Sequence, residues 1–501
     1  MTCFKHSSRL VSIIALMSGT AAYADVTAQQ VWDDWKANLT MSAQDSVTIG
    51  AEEMVDGVLT VSDLGFDITS DGSNVTGNLP WISFTEQGDG TVVVEMAEEY
   101  PISISIANAD GTTGVINLAL RHSSLGLTVS GSPELMTYDM AAKRYSIDLD
   151  SIFDGTSDIP ATGSIGLNNL AGTYTVETGE MRFIAYDVTA ASIDLAANAT
   201  NPEDGSVFDL SGTVADFASA VSMLMPLPEN TTPETMMQDG LSSEGGYTFG
   251  GTNYAFSLTG PMGDTSGTAD AAGGSFSYVV SNEVFGYSSA VEGIAVTASS
   301  AMMPFPVTVS LASYGLDFLM PMSVTPEPAD FALGINLSEL SVSEDIWSML
   351  DPGAILPRDP ATVILDLTGT ATLFYDLADP AQAEAIAMAE VPGELNSVTL
   401  HDLNVSFGGA QITGAGAFTF DNSDMMTIPG MPLPEGKVDV MITGANGLMD
   451  KLSQMGLLPG DQVTMARMMM GMFAVAVGDD QLSSTFEVTG GKILANGQPL
   501  N

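Results

Sequence analysis

The residue types that could do chemistry in this chain are histidine, cysteine, clustered acids and a group of methionines. Histidine is nearly absent, at 3 in 501 residues. His6 falls in the leader described below, which leaves His122 and His401. A Ser–His–Asp or Cys–His triad, or a zinc centre, needs at least one well-placed imidazole and usually more. His401 stands beside Asp402 on an expected strand, where neighbouring side chains point to opposite faces, so the pair is not expected to meet. An exposed strand histidine is the plainer reading. Cys3, the single cysteine, also lies in the leader. The mature chain is therefore expected to hold no disulfide, thiolate metal site or cysteine nucleophile.

The acids Asp148 and Asp150, with Asp154-Gly155 behind them, offer oxygens for calcium. Their spacing fails the EF-hand pattern of alternate ligands, a central glycine and a closing glutamate. A hairpin turn on an acidic surface, binding Ca²⁺ at most weakly, accounts for them better. Methionine is the anomaly, at 30 residues, with Met465, Met468, Met469, Met470 and Met472 in one short stretch. Thioethers suit Cu(I). The helical spacing of Met465, Met468 and Met472, with Met469 beside them, suits core packing of a helix better, with a deformable lining for an apolar ligand next. No catalytic constellation appears, so the expectation is a non-enzymatic protein with no cofactor or resident metal.

The elements that would carry these residues are mostly strands. After residue 24 comes one amphipathic helix, with Val31, Trp35 and Leu39 at helical spacing, Thr27 as its N-cap, and Trp32 and Trp35 packing it on a sheet. From Thr48 the pattern alternates, as in Gly57–Ile68, and Asp-Gly and other glycine pairs punctuate it like hairpin turns. The fold class expected is mainly β: elongated, curled antiparallel sheets with short capping helices. Asp379-Pro380 opens a further helix reaching Glu390, with aspartate at the N-cap and proline at N1.

Some of the pattern recurs. Thr60-Val61-Ser62-Asp63-Leu64 lines up with Thr399-Leu400-His401-Asp402-Leu403. Strand-to-helix closures ended by proline are expected after Ser211-Gly212, through Phe217 and Met223 to Pro226, at Val342–Pro352, and after Thr443-Gly444. The last is the fullest, because a second helix, Asp461 to Val477, follows it. That favours a cap or ligand-facing lid over copper, with Leu452, Met455, Met465, Met468, Met469 and Met472 as the ligand-facing residues. The proline-rich, then polar, stretch 226–246 reads as a linker between an N-terminal β-rich half, 25–225, and a C-terminal one, 247–501, with a helical end.

Residues 1–24 read as a signal peptide: Lys5 and Arg9, an apolar run from Leu10 to Met17, and Ala22-Tyr23-Ala24 before cleavage at Asp25. The expected compartment is the periplasm. With 62 acidic against 12 basic residues the net charge is -50, which excludes nucleic acid and anionic membrane surfaces as partners. Hydrophobic content of 45% argues against disorder. The mature chain lacks an apolar run long enough to span a membrane as a helix. Low aromatic content, 7%, and an ending at Pro499-Leu500-Asn501 argue against an outer-membrane barrel.

Several motifs together resemble a known family. They are Val31-Trp32-Asp33-Asp34-Trp35, Leu59–Leu64, Asp345-Ile346-Trp347, Asp351-Pro352-Gly353-Ala354, Leu356-Pro357-Arg358-Asp359-Pro360, Gly447–Leu452, Met455–Pro459, Ala466–Met469 and Leu494–Gln498. The chain resembles an uncharacterised exported alphaproteobacterial family, a domain of unknown function. The resemblance implies an envelope location and no particular activity. The Asn-Gly-Gln-Pro-Leu ending and the Thr-x-x-Asp-Leu strands are remotely similar to AsmA-like β-rich envelope proteins, a group associated with lipid movement. The function expected is an apolar groove that binds lipid or another amphipathic ligand. The alternative is a structural or protein-interaction module of the envelope with a solid core and an envelope protein as partner.

Overall fold

The computed structural model describes residues 25–43, 46–70, 72–227, 231–303 and 305–500; the expected signal peptide lies outside them. The fold is mainly β, with antiparallel strand pairs and short helices: α1 (Ala28–Ala43), α2 (Glu344–Leu350), α3 (Ala383–Met388), α4 (Ala445–Gln454) and α5 (Gly460–Phe473). Among the described residues no helix is long and apolar enough to cross a membrane. Contacts divide the chain into two compact units. The first is Met1–Leu227 with Tyr247–Thr268 and Ser300–Met302; the second is Pro228–Gly246, Ala269–Ser299 and Met303–Asn501.

The first unit is built around α1. Gln30 N donates to Thr27 Oγ1 at 3.3 Å and Thr27 N donates to Gln30 Oε1 at 2.9 Å. This reciprocal pair is a capping box that fixes where the helix begins. Trp32 is fully buried, 5.8 Å from the Phe84 ring, and Trp35 meets the same ring edge-on at 5.7 Å. Around them Leu59, Val61, Ile82, Val92, Val94, Val129, Tyr138 and Val176 form the core. Full burial of side chains this size contributes roughly 1.5–3 kcal/mol each. Beneath the helix, Arg182 reaches Asp34 at 3.0 Å, and the Tyr138 hydroxyl donates to the same carboxylate at 3.2 Å.

The strands beyond this core run to 20 residues, and their alternation changes phase partway. Leu59 and Val61 give way to Leu64, Phe66 and Ile68 around Asp63, whose φ is 53°. Ile165 and Leu167 give way to Leu170, Tyr174 and Val176 around Asn169 (φ 50°), and Leu210 and Val214 to Phe217 and Val221 around Asp216 (φ 50°). The registers on either side bring Asn169, Ala191 and Asp216 onto one transverse line. In the second unit Glu339 (φ 57°) and a bulge at His401–Asp402 do the same. An inserted left-handed or bulged residue shifts the phase of alternation by one, so the apolar side chains stay on one face. Val61 and Leu64 accordingly both belong to the α1 core. Leu400 and Leu403 likewise pair with Leu367 and Leu365, neighbours on one face of the adjacent strand. Asp and Asn tolerate this backbone better than most residues. At Gly50, an added Cβ would lie 2.9 Å from Asp63 Cβ, so the kink also needs a bare neighbour.

This phase change corrects one expectation. The stretch after Ser211-Gly212 is a strand, Val207–Pro226, not a helix. Shifting a period-two pattern by one puts Val214 and Phe217 three apart, which mimics helical spacing. The closing helix also stops earlier than Val477: α5 ends at Phe473, and Val475–Gly478 is a strand. The closures at α2 and α4 are helical, and Asp379 caps a 3-10 turn, Pro380–Gln382, by accepting from Ala381 N at 2.9 Å; α3 follows it and ends at Met388, short of Glu390. Within the stretch read as a linker, residues 228–230 lie outside the described residues, and the strand Ser242–Phe249 takes in its last part.

Candidate functional site

In the first unit, strand registers set Tyr100, Leu120, Ile147, Ile165, Leu195, Gly212 and Tyr254 in one transverse row. A second row runs Phe66, Gly77, Ile102, Leu118, Leu149, Gly163, Ala197, Leu210 and Phe256. No residue of the second row is buried, and Ile147, Ile165 and Phe256 are exposed, Ile165 by 50%. The ring of Phe66 lies over Gly77, and that of Tyr254 over Gly212, in the space a Cβ would take. The other face of the same strands is polar. There Arg121 contacts Glu99 (3.1 Å), Asp148 (3.2 Å) and Asp150 (2.9 Å), and Arg144 donates to Asn168 at 2.9 Å.

The second unit repeats the arrangement. Val291, Tyr314, Leu337, Val363, Val405, Ile412, Ile442 and Leu482 form one row. Tyr287, Phe318, Leu333, Leu367, Leu400, Gly416, Val438 and Phe486 form another. None of these residues is buried. A sheet face covered by a second layer would bury such side chains. The phase of alternation was the signal in the sequence that could have found these faces.

The sequence-predicted chemical residues sit elsewhere. His401 and Asp402 are both exposed and line one depression of about 340 Å³ with Thr413, Asp439, Met441 and Ser483. The expectation that they point apart fails because the bulge suspends strict alternation there. His401 Nε2 lies 2.7 Å from Thr368 Oγ1. The Thr485 hydroxyl and Lys437 hold the Asp439 carboxyl below its usual range. Asp154 is lowered to about 2 by N–H donation from Ser157, with Thr156 adding hydroxyl and backbone bonds. It closes its own turn, while Asp148 and Asp150 serve Arg121.

The Asp351–Arg358 motif is a packed loop. Asp351 is buried and accepts from Leu356 N (2.8 Å) and Ile355 N (3.1 Å). Burial pushes its pKa up, but these N–H groups and Arg358 outweigh that and hold it below the ordinary value. Arg358 lies over the Trp347 ring at 4.8 Å, and Trp347 stacks on Phe407. In the closing stretch, Asp480 caps α4 from a distant turn, accepting from Asn446 N (3.1 Å) and Gly447 N (2.9 Å). Arg467 ties α5 to α4 through Asp450 at 2.8 Å and Asn446 Oδ1 at 3.0 Å. Val463 is the buried residue of α5. Of the six residues read as ligand-facing, Leu452 and Met455 are half-buried, while Met465, Met468, Met469 and Met472 are exposed, Met468 by 63%. Apart from half-buried Met470, the methionine cluster is a surface, not core packing.

The geometry defines a class: an antiparallel β protein whose sheets carry one apolar and one polar face, with the apolar face only partly covered. Residues 258–500 match a family described as an uncharacterized protein conserved in bacteria (DUF2125). The N-terminal motifs at Val31–Trp35 and Leu59–Leu64 fall outside that match. No curated protein and no solved structure matches the chain.

Proposed function

We propose that this protein binds lipid, or another amphipathic ligand, along the apolar faces of its sheets, as a non-enzymatic carrier or receptor in the periplasm. The observation that carries the reading is the uncovered apolar rows in each unit, opposite a polar face. Unbranched acyl chains suit a face in which rings lie over glycines. The leader motif supports export, and the remote resemblance to AsmA-like proteins supports a lipid as the occupant. The exposed α5 methionines add adaptable apolar surface.

Native mass spectrometry and solvent extraction of the protein purified from its host envelope test the proposal. A co-purifying amphiphile is expected; repeated absence of one overturns the reading in favour of a structural module. With a ladder of acyl chain lengths, affinity should rise about fourfold per added methylene, the equivalent of ~0.8 kcal/mol per buried CH₂. A flat series would count against burial of the chain.

A further inference from the structure

Away from α1, the apolar face of the first unit carries a set of hydrogen-bonding groups. Tyr100 and Tyr145 bring their hydroxyls to 2.8 Å. Only one of the two can donate across that contact, so the other keeps an O–H donor to spend elsewhere. His122 pairs with Tyr145 across the strands, and their rings lie nearly parallel. It is 9% exposed, and its Nε2 lies 2.9 Å from Ala97 O. A carbonyl only accepts, so Nε2 carries the proton. In the neutral ring Nδ1 is then an acceptor, and it is buried with no hydrogen-bond partner. An unspent donor thus stands on this stretch of apolar face, at the end of the row through Leu120 and Ile147, with an unspent acceptor buried beside it. Leaving a buried polar atom unpaired is costly, which makes a visiting partner favourable.

Resting on the lipid-binding reading above, we infer that Tyr100, Tyr145 and His122 form the headgroup station of the first unit, selecting an uncharged headgroup with hydroxyls that both accept and donate, such as a monoacylglycerol's. A bare carboxylate, such as a fatty acid's, fits poorly. It has no proton for Nδ1, and Arg121 and Arg144 are engaged on the opposite face. Lys143 is exposed on the kink line. Burial and the Tyr145 contact hold the Tyr100 hydroxyl protonated well above the ordinary tyrosine range.

The test uses the full mature chain and three probes: 1-monooleoylglycerol, oleate, and the uncharged apolar dye N-phenyl-1-naphthylamine. The wild type should bind monooleoylglycerol more tightly than oleate. The double variant Tyr100→Phe/Tyr145→Phe keeps the rings and removes both hydroxyls. It should lose about tenfold in monooleoylglycerol affinity while dye binding is unchanged. Ile165→Asp, on the exposed apolar row, should weaken all three probes. Unchanged monooleoylglycerol binding in the double variant, or tighter oleate than monooleoylglycerol in the wild type, overturns the station and leaves the apolar face standing. Failure of the wild type to bind the dye overturns the underlying reading as well.

Discussion

The first unit contains the same sheet in two conditions. Over Leu59, Val61, Phe84, Val129 and Tyr138 the apolar face is sealed by α1, and Trp32 is fully buried. Past the kink line, Ile147, Ile165, Phe208 and Phe256 continue that face with no comparable cover among the described residues and remain exposed. Strand chemistry, register and alternation are alike in both regions; the difference is a single helix. The comparison teaches that this sheet can bury its apolar face against an amphipathic partner. Where the described residues supply none, the face is left for something else.

The largest effect should come from removing the seal. Trp32→Ala is expected to cost ~3–5 kcal/mol in urea unfolding, as large-to-small changes of buried aromatics do. Ile165→Ala, an apolar deletion on the uncovered region, should cost under ~1 kcal/mol. Similar losses at both sites would mean that Ile165 is covered in solution, and the contrast would collapse. Saturation with a bound amphiphile should selectively raise the cost at Ile165.

The ion pair under α1 sharpens the same contrast. Asp34 and Arg182 are 14% and 8% exposed at the side chain. Asp34→Ala would leave a buried guanidinium without its carboxylate, at a cost of about 3 kcal/mol. Asp194→Ala, whose partner Arg144 is 38% exposed at 3.5 Å, should cost under ~1 kcal/mol. Equal costs would show that α1 does not shield its side of the sheet.

Much of this fold was legible because strands advertise themselves. Gly57–Ile68, the Thr27 cap, the packing of Trp32 and the proline-opened helix at Asp379 all follow from local pattern and local hydrogen bonding. The phase shifts were harder. They depend on Asp63, Asn169, Asp216 and Glu339 adopting a left-handed backbone, which residue type permits but does not announce. One shift made Val207–Pro226 look helical, and another put His401 and Asp402 into one depression. The recurrence of Thr60–Leu64 in Thr399–Leu403 was such a signal, since both copies sit where the alternation changes phase. Which stretch of apolar face lacks a cover was not legible at all. That depends on where α1 lands, far from Phe256 in sequence and tied to it only through the pairing of successive strands. The Tyr100, Tyr145 and His122 group is invisible for the same reason.

The smallest contrast is between two helix starts. Helix α1 is capped by the neutral side chains of Thr27 and Gln30, and the Glu86 carboxylate also accepts from Ala28 N at 3.0 Å. Helix α4 follows Gly444, which has no side chain to cap with, and borrows the carboxylate of Asp480. Replacing that carboxylate, in Asp480→Ala, should cost about 1 kcal/mol, as loss of an N-cap does. Burial pushes the Asp480 pKa up, but donation from Gly447 and Asn446, with Arg467 nearby, outweighs it and leaves the value below 3.8. A depressed carboxylate contributes stability fully present above its unfolded pKa and lost as pH falls through its folded one. The Asp480→Ala cost, read by urea unfolding, should therefore be constant from neutral pH down to about pH 5 and shrink below the ordinary carboxylate range. The Thr27→Ala cost at α1, of similar size, should hold across the same titration. If both costs fell together in acid, the loss would belong to general charge repulsion in an acidic chain, not to the borrowed cap.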